Sequence, residues 1–543
     1  MIEKSQEKLH RVRRLWLSVG LATAVVVAIG LLWRTIRYAM GFPIWGDEAF
    51  IVTSLCTRDF GGMIRPLEYG QIAPLGFMWI ELAVVRAAGL SEYALRLVPF
   101  LTGLASMLLF WRFATRIFDR WSALLAVAVF AASYYPVRHA AEVKPYASDL
   151  LVSLILTYLG WAVMTSPRSA WRWGALIVFG AVSVWVSYPA AFVGGAVGAC
   201  LLYRTIRARA WGSLVPVAIY CVFLANSFYM MYEIYGRPTA GTAEPMKDTG
   251  TWKESFPPLN EPSKLPWWLL KTHTGNMLAY PVGGKNFGSS ATFVLVIAGS
   301  VALLRSRRGR LLLLLLGPLV LALVAAAMRQ YPYGGSARTE LYMAPAFCLL
   351  AGLGLAAMLR LLVRRAHVPS AFRIAAAVLA VVAVAGAAND IREPYKKRAA
   401  LRNRQVVQAL GRTDKDGDQW VIFLALPETS CDQRVPDVRQ FKGSAATFRY
   451  NVRRYLPQQR VRWAARPDKL TPGATGRIFF IIYRDNDIPF SEADKTNLAA
   501  YLGELEARFG KPVMWESHIL TSSEDPARSQ LEQVEVYQFA QGR

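Results

Sequence analysis

Residues 15–33, LWLSVGLATAVVVAIGLLW, run without a charged side chain, and the rest of the fold follows from what such a stretch can do. At about 1.5 Å of rise per residue, a helix of this length comes close to crossing a hydrocarbon core about 30 Å thick. The stretch is therefore read as a first membrane span. A secretory signal would be shorter and would end at small residues, whereas this run ends at Trp33 and Arg34 and reads as an uncleaved anchor. Further apolar runs follow at 97–111, 121–135, 150–164, 173–188, 189–203, 211–232, 289–304, 311–328, 341–359 and 374–388. They make about eleven spans, several of them below the roughly 17-residue minimum for crossing a bilayer. Composition agrees: of 543 residues 54% are hydrophobic and only 18% charged, with a mean hydropathy of +0.27. Such a chain is a polytopic α-helical membrane protein.

The 62 Lys and Arg against 37 Asp and Glu give a net charge of +25. These cations fall in short clusters between apolar runs, which makes them loop charge; no nucleic acid partner is implied. With a cytoplasmic N-terminus, segments 1–14, 112–120, 165–172, 204–210, 305–310 and 360–373 face the cytoplasm and hold a large excess of Lys and Arg over acids. Loops 34–96 and 233–290, on the opposite face, are nearly balanced. The second is longer than a simple connection needs, so chemistry is sought on that side. None of the five cysteines forms a CxxC pair, and Cys200, Cys221 and Cys348 lie in apolar runs, which excludes a cysteine zinc module and a disulfide scaffold. Cys56 and Cys431 could pair outside the cytoplasm, but two free thiols are the preferred reading.

Past residue 388 the chain becomes charged and is broken by Asp-Gly, Pro-Gly and Pro-Asp. The organisation read from this change is a transmembrane domain over 1–388 and a soluble, non-cytoplasmic (periplasmic) domain over 389–543. Residues 420–426, 478–483 and 534–539 read as strands and 491–509 as an amphipathic helix, hence a small α/β domain. There is no internal repeat and no glycine-rich phosphate loop.

Three polar clusters stand on the non-cytoplasmic side. The first is Pro43-Ile44-Trp45-Gly46-Asp47-Glu48-Ala49-Phe50, adjacent carboxylates among apolar residues. Desolvation near a membrane interface raises a carboxylate's pKa, which suits a general base acting on a hydroxyl. The alternative is that Asp47 and Glu48 stabilise a helix N-terminus. The second is Arg138-His139-Ala140-Ala141-Glu142-Val143-Lys144-Pro145-Tyr146-Ala147-Ser148-Asp149; an extended stretch ending at Pro145 would put Glu142 and Lys144 on one side, either for substrate or as a tie for the loop. The third is Arg329-Gln330-Tyr331-Pro332-Tyr333-Gly334-Gly335-Ser336-Ala337-Arg338-Thr339-Glu340. Its arginines suit a phosphate through bidentate hydrogen bonds, or else reach for lipid headgroups. His273, beside Trp267 and Trp268 in the long loop, is a substrate contact or metal ligand in one reading and a plain loop residue in the other. Asp47 and Glu48 are taken as the catalytic pair, and Arg58, Glu142, Lys144, Tyr146, His273, Arg329, Tyr331 and Arg338 as the substrate-binding set.

In this order the clusters resemble the GT-C membrane glycosyltransferases, particularly the branch holding protein O-mannosyltransferases and the aminoarabinose transferases of lipid A. The matching residues are Gly46-Asp47-Glu48-Ala49, then Gln71-Ile72-Ala73-Pro74-Leu75-Gly76-Phe77, Ser91-Glu92-Tyr93-Ala94-Leu95-Arg96, and Glu142-Val143-Lys144-Pro145-Tyr146, with a looser match over Tyr331-Pro332-Tyr333-Gly334-Gly335 through Arg338 and Pro345. The resemblance spans roughly residues 15–359. It implies inverting transfer of a sugar from a polyprenyl-phosphate donor to an acceptor hydroxyl. Asp47 would be the base, and Arg329, Arg338 or Lys144 would stabilise the departing phosphate. Two departures matter. The Glu-Lys-Pro segment whose glutamate helps bind a metal in aminoarabinose transferases is replaced here by Ile72-Ala73-Pro74, with Gln71 and Glu68 only nearby, and no cofactor or metal is assigned. The inserted sugar-binding repeats of the mannosyltransferases are missing too, which shifts the expected acceptor from protein toward a cell-envelope glycan or glycolipid.

The expectation is thus a multi-pass enzyme of a bacterial plasma membrane whose partners are the lipid-linked donor, the acceptor and the bilayer. A protein O-mannosyltransferase stays an alternative, and a lipid-linked-sugar flippase is the rival reading. It predicts symmetric halves with charges at mid-membrane, whereas here the notable charges gather at one face. A non-catalytic scaffold presenting the tail domain is a third. The enzyme reading requires Asp47 and Arg338 to meet in one cavity.

Overall fold

The computed structural model describes residues 2–238, 254–283, 288–393, 398–416, 418–424, 443–463, 477–485, 492–519 and 532–539. Its helices are α1 (Ile2–Ala39), α2 (Gly46–Thr57), α3 (Leu75–Ala88), α4 (Glu92–Leu95), α5 (Leu97–Ile117), α6 (Arg120–Ala131), α7 (Tyr134–His139), α8 (Tyr146–Thr165), α9 (Ala170–Val186), α10 (Ala190–Arg207), α11 (Leu214–Met231), α12 (Leu265–Thr274), α13 (Gly288–Arg305), α14 (Gly309–Ala327), α15 (Ala344–Leu362), α16 (Val368–Arg392), α17 (Arg398–Thr413), α18 (Gly443–Tyr455) and α19 (Glu492–Phe509). The strands are β1 (Gln419–Leu424), β2 (Val461–Trp463), β3 (Ile478–Asp485), β4 (Met514–Ile519) and β5 (Glu532–Phe539). Every apolar run read as a span is largely helical. Among the described residues 8 helices, α1, α5, α8, α11 and α13 to α16, are long and apolar enough to cross a membrane, while α6 and α9 are shorter apolar helices.

The chain divides into two compact units. The first comprises Met1–Met40, Ile72–Val84 and Leu95–Pro394; the second comprises Gly41–Gln71, Val85–Ala94 and Tyr395–Arg543. The division is therefore not one cut near residue 388, because two early segments fold with the C-terminal part.

In the first unit, α15 is buried along most of its length between α6 and α13. Glycine makes this possible. A methyl at Gly354 would fall 1.9 Å from the Leu295 carbonyl oxygen of α13, and one at Gly352 would fall 2.2 Å from Cα of Ala126 on α6. Where lipid is as apolar as the side chains, close backbone approach and dispersion hold helices together, and small residues allow it. The first span differs from its sequence reading: α1 continues past Trp33 to Ala39, with Arg34 and Arg37 inside at 1% and 5% exposure. Arg37 pairs with Asp390 of α16 at 2.6 Å, and Trp33 Nε1 donates to the same carboxylate at 2.8 Å. Arg34 donates to the Gly30 carbonyl at 2.8 Å and lies over the Phe130 ring. A charge inside a span persists when a neighbouring helix supplies its counter-ion, so the uncharged run underestimates the helix.

The second unit contains a sheet of order β2-β1-β3-β5-β4, with β2, β1 and β3 parallel and β5 antiparallel to both β3 and β4. Side chains alternate between its faces as the strand period requires. Trp420, Ile422, Phe479, Ile481, Tyr483, Val534 and Val536 pack with Val407 and Leu410 of α17 and Phe448 and Val452 of α18. On the other face Val421, Phe480, Ile482 and Phe539 pack with Leu498, Tyr501 and Leu505 of α19. β1, β3, β5 and α19 coincide with the elements read from sequence; residues 425, 426 and 491 and Cys431 lie outside the described residues.

Candidate active site

In the first unit the polar residues gather at the turn between α7 and α8. Arg138 Nε donates to Glu142 Oε1 at 2.7 Å, and His139 Nδ1 donates to Oε2 at 2.8 Å. Glu142 and His139 are 3% and 2% exposed. Burial alone would raise the Glu142 carboxyl, but His139 and Arg138 outweigh it and hold the group well below the ordinary carboxylate range. Burial lowers His139, while the Glu142 carboxylate beside it acts in the opposite direction. The ring meets Tyr146 edge-on at 5.0 Å and stacks on Tyr135 at 6.2 Å. The segment is not extended as read: the Lys144 N–H returns to the Glu142 carbonyl at 2.8 Å, forming a three-residue turn that leads into α8. Glu142 therefore spends its oxygens on Arg138 and His139, in the chain just before it.

The late loop comes to the same region. Arg338 lies near enough for its charge to oppose protonation of His139. Tyr331 donates to the Thr339 carbonyl at 3.0 Å and packs edge-on against Phe192; burial, then Glu340, Asp149 and Tyr146, push its phenol upward. Glu340 is fully buried and accepts the Gly334 N–H at 3.1 Å, and burial pushes its carboxyl up to about 7. Gly334 and Gly335 both sit at φ +69°, a conformation that favours glycine. Thus Glu142, Lys144, Tyr146, Tyr331 and Arg338 belong to one neighbourhood.

Two further predicted contacts lie beside or within the late loop. His273 donates from Nδ1 to the Leu269 carbonyl at 2.8 Å and accepts the Tyr333 hydroxyl of the late loop at Nε2 at 3.0 Å, so both ring nitrogens are engaged. Arg329 is exposed, has φ +56°, and lies over the Phe256 ring at 5.1 Å. His139 and Glu340 stand in the same polar clusters without a role that the sequence marks; what distinguishes them is burial, which sequence does not display.

Asp47, Glu48 and Arg58 belong to the second unit. Glu48 is fully buried and its Oε2 accepts the Trp45 N–H at 3.3 Å, so it caps the first turn of α2. This is the helix-terminus alternative the sequence left open. Asp47 stands half-buried in the same turn. Arg58 donates to the carbonyls of Gly62 and Arg65 at 3.3 and 3.1 Å, closing the loop after α2.

The family model for dolichyl-phosphate-mannose-protein mannosyltransferases matches residues 73–231. The structure superposes on ArnT from Cupriavidus metallidurans bound to undecaprenyl phosphate with a TM-score of 0.52 at 12% identity, covering 94% of this chain and 97% of that one. The apo form of the same ArnT gives 0.51 at 12% identity over 96% and 97%. The chain has the GT-C fold. The agreement is one of helix order and packing, since identity is so low, and it extends over both units of this chain. No curated protein sequence matches it significantly. Within the GT-C fold, α2 with Asp47 follows the first span, and the α7–α8 turn with Glu142 falls inside the segment matched by the mannosyltransferase model.

Proposed function

We propose that this protein is an inverting membrane glycosyltransferase that moves a sugar from a polyprenyl-phosphate donor to a hydroxyl of a cell-envelope glycan or glycolipid on the non-cytoplasmic side of a bacterial plasma membrane. The observation that carries the reading is the full-length likeness to ArnT, whose matched structure holds undecaprenyl phosphate. The first unit adds a second support: Glu142, His139, Tyr146, Tyr331 and Arg338 cluster at the ends of apolar helices, where a lipid-borne phosphate would enter.

In the proposed reaction the Asp47 carboxylate takes the acceptor's hydroxyl proton. The acceptor oxygen bonds to the anomeric carbon, the bond from that carbon to the phosphate oxygen breaks, and polyprenyl phosphate leaves as an anion. Arg338 and Lys144 meet the charge that develops on that oxygen, where fixed cations in a site of low dielectric act most strongly. Glu48 supports the turn that carries Asp47.

The test uses purified enzyme with polyprenyl-phosphate sugars. Asp47→Asn keeps donor affinity within about twofold and loses transfer by about 10²–10⁴-fold, the usual range for a general base. Arg338→Ala weakens donor binding. Transfer at the wild-type rate by Asp47→Asn overturns the base assignment, and unchanged donor affinity in Arg338→Ala removes its phosphate role. A protein that moves lipid-linked sugar across vesicles without transferring it would be the flippase.

A further inference from the structure

The second unit places two early segments of the chain, 41–71 and 85–94, with the C-terminal residues. α18 shows why. Phe448 and Val452 enter the sheet core, while Arg449 and Arg453, each one residue further round, leave on an adjacent face. That face is occupied by α2. Arg453 donates toward the Thr53 carbonyl at 3.5 Å and hydrogen-bonds the Cys56 thiol. Arg449 donates to the Tyr69 hydroxyl at 2.9 Å, and the Tyr69 ring packs on Phe50 of α2 at 5.1 Å. The Tyr455 hydroxyl donates to Glu92 at 3.0 Å. Arg404 of α17 donates to the Gly41 carbonyl at 2.8 Å and pairs with Glu92 at 3.6 Å. The anchors therefore lie before α2 at Gly41, along it at Thr53 and Cys56, and after it at Tyr69 and Glu92.

An isolated helix of about 12 residues is marginal in water and takes its order from what it packs on. Thr53 and Cys56 mark the stripe of α2 toward α18. At about 100° per residue, Asp47 falls on roughly the opposite side of the helix from that stripe. A part held firmly at the back and bearing a reactive group at the front is a mounting.

We infer that the C-terminal domain is the mounting for α2, with Arg453, Tyr455 and Arg404 as positioning residues that fix the pose of Asp47. Its consequence for catalysis rests on the reading of Asp47 as the base; the fixation of α2 does not.

The test uses the full-length protein in detergent. Tyr455→Phe removes one hydroxyl and Arg453→Met removes the guanidinium while keeping bulk, so neither empties the sheet core. The expected result is amide hydrogen exchange over residues 46–57 at least tenfold faster, with β1 and β3 unchanged. In transfer assays kcat falls about tenfold while KM for the lipid-linked donor stays within twofold, and Arg453→Lys recovers most of the loss. Unchanged exchange over 46–57 overturns the mounting. Faster exchange with wild-type kcat overturns the positioning role. If wild-type protein transfers no sugar at all, the proposed function fails, and the exchange measurement still decides whether the domain holds α2.

Discussion

Glu340 shows how a single residue carries the energetics of the late loop. Its carboxyl is fully buried, receives the Gly334 N–H, and faces the phenols of Tyr331, Tyr333 and Tyr342. Burial raises it from 4.5 to about 7. A carboxyl whose folded pKa is raised holds its proton more tightly in the native state, so stability falls as pH rises from the unfolded value through the folded one, and levels off above. The shift corresponds to about 3 kcal/mol at most between pH 4.5 and 7. Glu340→Gln keeps an oxygen for Gly334 and removes the charge. Its thermal unfolding midpoint should match the wild type at pH 5 and exceed it by a few degrees at pH 8.5; equal midpoints at both pH values would show that the carboxyl is not destabilised by its setting. Glu142 is the opposite case, since Arg138 and His139 keep it ionised, and its contribution persists until strongly acid pH. Sequence displays both acids, yet only the fold separates them: one has cations in the preceding turn of chain, and the other has backbone N–H and phenols. The sequence pattern also left open whether Glu48 acts or caps, because a capping glutamate and a catalytic one look identical beside Asp47.

Among elements, the apolar helices were legible because length and lack of charge are one-dimensional properties. The ends were not, since Arg34 and Arg37 belong inside α1 only by virtue of Gly30, Phe130 and Asp390 in the folded bundle. α17, α18, β2 and β4 are not legible in the sequence for a related reason: each is short or charged, and their apolar residues are spaced too thinly to stand out. α15 gives the element-scale prediction. Gly354→Ala brings a methyl to 1.9 Å from the Leu295 carbonyl, so α13 and α15 must separate. Forced separation in a packed core costs about 1–3 kcal/mol or more. At Gly174 in α9 a methyl would stand in open space, with nothing within 4 Å, and Gly174→Ala should be neutral or gain up to about 1 kcal/mol from helix propensity. Unfolding midpoints in detergent separate the two; equal effects would mean that backbone contact between α13 and α15 is not what holds α15.

For the whole molecule, the chain order of the proposed site residues is not their order by unit. Asp47 stands early in sequence and folds with residues beyond 395, whereas Glu142 and Arg338 fold with the apolar helices. Composition marks a charged tail but not that it recruits segments 41–71 and 85–94, because those contacts join residues hundreds of positions apart. Orientation is a property of the same scale, set by the summed bias of Lys and Arg in the connecting loops. If the clusters 305–310 and 360–373 are cytoplasmic, α12 and the late loop face outward, and the proposed lipid-linked donor would be met on that side. Lys264 and Ser306 are both exposed and lie on opposite sides of α13 along the chain. In intact cells a membrane-impermeant maleimide should label Lys264→Cys above the parental chain's own level, while Ser306→Cys should label only after permeabilisation. The reverse pattern would invert the topology and move the proposed chemistry to the cytoplasmic leaflet, where the donor would have to be presented before any flipping step.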